Sequence, residues 1–122
     1  EHIIDLYKHP LNQGTLKNPT VSFRSFNPLC GDDITVDLLI RGDRVLDICH
    51  RGSGCAISQA SISLLSEHVK GKSVNKVLSL KKKDLLRLLG IELGPVRLKC
   101  ALLGLEAVHQ CLFHFSNNDL HE

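Results

Sequence analysis

Ile34-Thr35-Val36-Asp37-Leu38-Leu39-Ile40, Arg41-Gly42-Asp43-Arg44 and Val45-Leu46-Asp47-Ile48-Cys49-His50-Arg51 follow one another without interruption. Ile34, Val36, Leu38 and Ile40 alternate with Thr35, Asp37 and Arg41, the period of a strand with one face buried. Gly42-Asp43 is a tight turn, in the reverse of the favoured Asp-Gly order. The return run, Val45 to Arg51, is expected to put Leu46, Ile48 and His50 on one face. Upstream, Thr20 to Phe26 alternates Val21 and Phe23 with Ser22 and Arg24, a further strand. Together these runs predict a three-stranded antiparallel sheet with one buried face.

Around it the periodicity becomes helical. His2 to His9 is a short helix stopped by Pro10, read as the tail of a longer one beginning before Glu1. Leu11 to Pro19 reads as loop. Ala56 onward places Ile57, Ala60, Ser61, Leu64, Leu65 and His68 on one helical stripe, with Gly71 at its end. Ser73 to Leu80 and Lys81 to Leu89 are two shorter helices, the first capped by Ser73 and the second ended by Gly90. Lys81-Lys82-Lys83 opens the second against the helix dipole. Leu93 to Arg97 reads as loop. From Lys99 or Cys100 a last helix turns Leu102, Leu105, Val108, Leu112 and Phe115 inward, and Asn117 to Glu122 is expected to fray. The fold class is α+β: a single domain, 1–122, with four to five helices packed on the sheet.

Composition narrows the function. The chain has 122 residues and a net charge of +2, with 23% charged and 4% aromatic residues. It shows neither a basic arm nor a stacking platform, so nucleic acid is not expected as a partner. No apolar run approaches the ~20 residues that cross a bilayer. No leader is legible, and a chain opening on Glu1 rather than Met is expected to be trimmed. Five scattered cysteines argue against a disulfide framework and for reduced thiols in a cytoplasmic setting.

Three thiols draw attention. Cys30 and Asp32 flank Gly31 in a turn entered through Pro28, offering a soft donor beside a hard one. That pair suits zinc or iron better than magnesium or calcium. Cys55 follows Gly52-Ser53-Gly54 at a predicted helix N-terminus, where free amides and the dipole attract negative charge. Cys100 is placed at or just before the start of the last helix. Cys30, Asp32, Cys55 and Cys100 would make a four-donor metal set. Cys49 and Cys111 read as bystanders, Cys111 being ~16 Å along the helix from Cys100. His50 reads as a core-edge residue, and His68, His109 and His114 as surface or boundary residues. The absence of a Cys-x-x-Cys pair argues against a structural zinc finger. No acid or histidine is spaced to make a thiol-enzyme dyad.

Several stretches together carry a resemblance: Lys8-His9-Pro10-Leu11-Asn12-Gln13-Gly14, Asn27-Pro28-Leu29-Cys30-Gly31-Asp32, Gly52 through Ser61, Val69-Lys70-Gly71-Lys72 and Val96 through Ala101. In these stretches, and in their order, the chain resembles the IscU/SufU/NifU-type iron–sulfur cluster assembly scaffolds. The resemblance implies that Cys30, Cys55 and Cys100, with Asp32, hold a labile [2Fe-2S] cluster or Zn2+ at the same site. It implies a scaffold rather than an enzyme, with sulfurtransferase activity as the catalytic alternative. Sulfur would come from a cysteine desulfurase, Cys100 and Cys55 being the expected acceptors, and clusters would go to apo iron–sulfur proteins. The chain falls between subtypes. Lys99 precedes the third cysteine, as in the SufU branch, where the IscU branch has histidine. The 45-residue interval from Cys55 to Cys100 is the compact IscU spacing. An Hsp70-type chaperone is a further implied partner, but Leu93-Gly94-Pro95-Val96-Arg97 replaces its Leu-Pro-Pro-Val-Lys docking motif. Gly94 loosens a loop that a second proline would stiffen.

Overall fold

A computed structural model describes residues 2–28 and 31–120, with side chains for 3–28 and 31–116. Its elements run α1 (His2–Lys8), β1 (Val21–Asn27), β2 (Asp32–Arg41), β3 (Arg44–Ser53), α2 (Ala56–Val69), α3 (Val74–Leu78), α4 (Lys82–Leu89) and α5 (Pro95–Leu120). The sheet is antiparallel in the order β1-β2-β3, and α2 and α5 pack on one face of it. The α+β expectation therefore holds: three strands, five helices.

The core is built as the alternation in β2 requires. Ile34, Val36, Leu38 and Ile40 are buried with Val45 and Ile48 of β3, against Ile62 and Leu65 of α2 and Val108 and Leu112 of α5. The helices can approach closely because Gly104 stands at their crossing, where a Cβ would lie 2.8 Å from Ile62 Cδ1. Cys55 caps α2, and Cys100 lies one turn before Gly104 on α5.

Four expectations are corrected. Leu46 is 42% exposed, and Val45 takes the inward position. A register shift between Leu39 and Ile40 exchanges the faces beside the turn. The outer face of the sheet is not simply solvated, since Asp37 is 1% exposed. Its carboxylate accepts from Ser22 Oγ (2.6 Å), Arg51 Nη1 (2.7 Å) and the Leu16 amide (3.1 Å). Burial alone would raise the Asp37 pKa, but these partners outweigh it and hold the carboxyl below its ordinary range. The last helix begins at Pro95, inside the expected loop. Pro95 suits a first helical position, where no N–H is needed, and the Leu98 amide donates to Gly94 O at 2.9 Å. Finally, 117–120 remain helical in backbone rather than fraying, while 121–122 lie outside the described residues.

The free side of β3 is closed by loops. The His50 amide donates to Asn12 O and the Gly14 amide to His50 O, while Val45 N and Lys72 O pair further along. His50 is buried and its Nε2 sits 2.7 Å from Leu11 O. Desolvation lowers its pKa. At the start of α4, the Asp84 carboxylate accepts from the Lys81 amide at 2.8 Å, which offsets part of the dipole cost of the three lysines.

Candidate metal centre

The β1–β2 connection, the β3–α2 connection and the second turn of α5 meet at one end of the sheet. Asp32 opens β2 and pairs with Asn27 of β1 across the connection. Within that connection the Gly31 amide donates to Asn27 O at 2.8 Å, and Gly31 takes a positive φ of 72°. Cys30 lies in this connection but outside the described residues.

Cys55 is the N-cap of α2. Its backbone is extended and its sulfur accepts from the Ser58 amide at 3.5 Å. The same residue orients the carboxylate, because the Cys55 amide donates to Asp32 Oδ1 at 3.2 Å, leaving Oδ2 3.8 Å from Cys55 Sγ. The two glycines before Cys55 are dictated by space. A Cβ on Gly52 would stand 1.9 Å from Asp33 O, and one on Gly54 would stand 2.4 Å from Ser58 Oγ and 2.9 Å from Asp32 Oδ1. The Gly-x-Gly is therefore a clearance for β2 and for the Asp32 side chain.

Cys100 is not at a helix start. It lies in the second turn of α5, one face of which turns it toward the other two donors. The donor atoms of Asp32, Cys55 and Cys100 all fall within 4.8 Å of one another. Asp32 is 3% and Cys100 5% exposed, whereas Cys55 is open to solvent. Arg97, one turn before Cys100, lines the same pocket and is the cation among its described lining residues. Lys99 does not line it but faces a neighbouring groove with Phe26, Asn27 and Pro28.

The donor set suits a tetrahedral thiophilic ion. Bonds of ~2.3 Å to sulfur and ~2.0–2.2 Å to oxygen place ligand atoms about 3.5–3.8 Å apart, close to the 3.8 Å between Cys55 Sγ and Asp32 Oδ2. A buried carboxylate aimed at two thiols is otherwise an expensive arrangement. Sequence spacing singled out Asp32, Cys55 and Cys100. It missed Arg97, whose signal was only its three-residue offset from Cys100 on a helix read as loop.

The remaining thiols are elsewhere. Cys111 is fully buried and its sulfur points at Val36 O, 3.5 Å away. Cys49 is half-buried on the outer face, where desolvation, Asp47 and Asp37 raise its pKa. His109 Nε2 lies 3.0 Å from Val77 O, and His114 stacks on Phe23 with centroids 5.3 Å apart. Among the described residues no helix is long and apolar enough to cross a membrane.

Comparison with known proteins follows the same residues. The model of the NifU-like N-terminal domain family matches residues 1–121. The chain is 34% identical over 125 residues to the zinc-dependent sulfurtransferase SufU of Bacillus subtilis, covering 88% of this chain and 84% of that one. It is 30% identical over 121 residues to the iron–sulfur cluster assembly scaffold protein IscU of Escherichia coli, covering 96% and 93%. A crystal structure from Fervidobacterium islandicum, of a protein assigned as a candidate SUF-system cluster assembly scaffold, superposes with a TM-score of 0.79. It is 26% identical and covers 92% of this chain and 94% of that one. With the fold, the clustered donors and the family match in agreement, the chain belongs to the NifU-like N-terminal domain family of iron–sulfur cluster scaffolds, which includes the IscU and SufU proteins.

Proposed function

We propose that this protein is an iron–sulfur cluster assembly scaffold. It accepts sulfur from a cysteine desulfurase, builds a labile [2Fe-2S] cluster on Cys30, Cys55, Cys100 and Asp32, and passes it to apo-proteins. The observation that carries the reading is the approach of one buried carboxylate and two thiols to within 4.8 Å at an open rim. In sulfur delivery a thiolate of Cys55 or Cys100 attacks the outer sulfur of the desulfurase's persulfide. The new S–S bond forms as the old one breaks, and the desulfurase thiolate leaves. Cys55 is the more accessible acceptor, because Cys100 is 5% exposed. Assembly then needs the sulfane sulfur reduced to sulfide, with electrons from iron and an external one-electron donor. Arg97 lines the same pocket, and its positive charge would counter that of ionised thiols beside the Asp32 carboxylate.

Asp32 keeps the product transferable. A carboxylate is a poorer ligand to iron than a thiolate, and one of its oxygens is already engaged by the Cys55 amide. Asp32→Ala should therefore lengthen the lifetime of a cluster reconstituted without oxygen, followed by its visible absorbance. An unchanged or shorter lifetime contradicts this role.

A second reading is a zinc-dependent sulfur acceptor, favoured by the similarity to the B. subtilis protein and by Lys99 in place of histidine. The same four residues would hold Zn2+, which would keep the thiols ionised until one is displaced. Elemental analysis and absorption spectra of anaerobically purified protein, with desulfurase turnover measured alongside, separate the two. A coloured iron protein supports the scaffold. A colourless zinc protein that strongly stimulates the desulfurase supports the acceptor.

A further inference from the structure

The charge of this chain is unevenly placed. Residues 70–87 carry seven Lys or Arg and a single acid, Asp84. Their local balance is +6 against +2 for the whole chain, so the remaining residues together carry −4. Asp84 is already occupied in holding the Lys81 amide. Lys70 is paired with Asp47 at 3.5 Å. Among the described residues no carboxylate stands within ion-pair distance of Lys72, Lys76, Lys81, Lys82 or Lys83.

Two of these lysines, Lys72 and Lys76, line a defined concavity, and Lys81, Lys82 and Lys83 directly follow its lining residue Leu80 in the chain. A cavity of about 260 Å³ is walled by His68, Lys72, Lys76, Ser79 and Asp84, with Val77 and Leu80 contributing apolar surface. Its frame is fixed by backbone pairing: Val45 N to Lys72 O, Gly71 N to Val45 O and Val74 N to Asp43 O. Ser73 Oγ accepts from the Lys76 amide at 3.2 Å. The basic side chains therefore rise from a rigid base, which reduces the ordering cost of binding.

We propose that this cavity and the lysines beside it form a docking surface for an acidic segment of a partner protein. A carboxylate side chain would enter between Lys72 and Lys76, and an adjacent apolar side chain would rest on Leu80, which lies beside the buried Val77. The volume suits one or two side chains. Single-stranded nucleic acid would want aromatic platforms, and none lines the cavity. A membrane surface would want exposed apolar anchors, and among the described residues the large exposed hydrophobics all lie outside 70–87. The cavity lies at the C-terminal end of α2, whereas Cys55 caps its N-terminal end, ~21 Å away along fourteen residues. A partner held here leaves the thiol pocket uncovered.

The test uses a fluorescently labelled peptide rich in Glu, Asp and Leu. The wild-type chain should bind it at low salt, with affinity falling as salt rises. A Lys72→Gln, Lys76→Gln, Lys81→Gln triple variant should bind it at least about tenfold more weakly. Lys17→Gln, on the loop before β1, should change it by less than about twofold. The triple variant should keep the zinc affinity of the wild type. Absence of peptide binding overturns the proposal. So does equal binding of duplex DNA or of vesicles containing phosphatidylserine, or a triple variant that binds like wild type. A parallel loss of zinc affinity would overturn the separation of this surface from the thiol pocket without touching the scaffold reading.

Discussion

Cys100 and Cys111 stand on one helix, and the two ends of α5 make opposite use of the same side chain. Cys111 is sealed between α5 and β2, its sulfur against the Val36 carbonyl. Burial, with a contribution from the Asp37 charge, pushes its thiol up to about 12. There it is a small hydrophobe. Three turns earlier Cys100 is also buried, yet it looks toward Asp32 and the exposed Cys55. The difference lies in what opposes each sulfur. Across from Cys111 is the apolar face of a strand. Across from Cys100 are two loop ends, cleared by Gly52 and Gly54, that deliver a carboxylate and a second thiol. Burial alone makes a cysteine inert, whereas burial facing other donor atoms leaves its sulfur placed to bind a metal.

The sharpest way to break this comparison is to remove one sulfur from each end. Losing a group that merely orients a metal ligand costs about 10–100-fold in affinity, so Cys100→Ser or Cys55→Ser should weaken zinc binding by more than about a hundredfold in a chelator competition. Cys111→Ala should leave zinc affinity unchanged and lower stability to denaturant by about 1–2 kcal/mol. Equal effects of Cys100→Ser and Cys111→Ala on zinc would collapse the distinction.

A pH series tests the dry end. Folded Cys111 keeps its proton up to about 12, while the unfolded thiol releases it near its ordinary value of ~8.5. Above that value the unfolded state binds fewer protons, so stability should fall as pH rises, by at most about 1.4 kcal/mol per pH unit. Below it the contribution is fully present. Cys111→Ala should flatten this alkaline slope in equilibrium unfolding, and an unchanged slope would place the titration elsewhere.

The smallest expected effect probes the clearance. Gly54→Ala puts a methyl 2.4 Å from Ser58 Oγ and 2.9 Å from Asp32 Oδ1. The serine hydroxyl can rotate away, but the carboxylate must shift. Zinc affinity should drop up to about tenfold with little change in thermal stability. A variant with full affinity would show that the Asp32 position is not critical.

Much of this was written into local pattern. The alternation from Ile34 to Ile40 determined β2, because a period of two can bury only one face of a strand. The glycines before Cys55 and the Asp32 two residues after Cys30 pointed to a site only in combination with Cys100, since a Cys-Gly-Asp by itself is usually a plain turn. Leu46 was misplaced because a register shift beside a tight turn leaves no trace in hydrophobic alternation. The start of α5 was misplaced because Gly94-Pro95 reads equally well as a loop and as an N-terminal helix boundary. Periodicity along the chain determined the elements by itself, and the NifU-like motifs the family. Only the tertiary structure decided that Asp32, Cys55 and Cys100 share one pocket, that Arg97 is among its lining residues, and that Lys99 is not. The physical reason is that strand and helix periods fix which way a side chain points from its own element, whereas convergence depends on how closely elements pack. Here α5 and α2 come close where Gly104 leaves room for the Ile62 side chain.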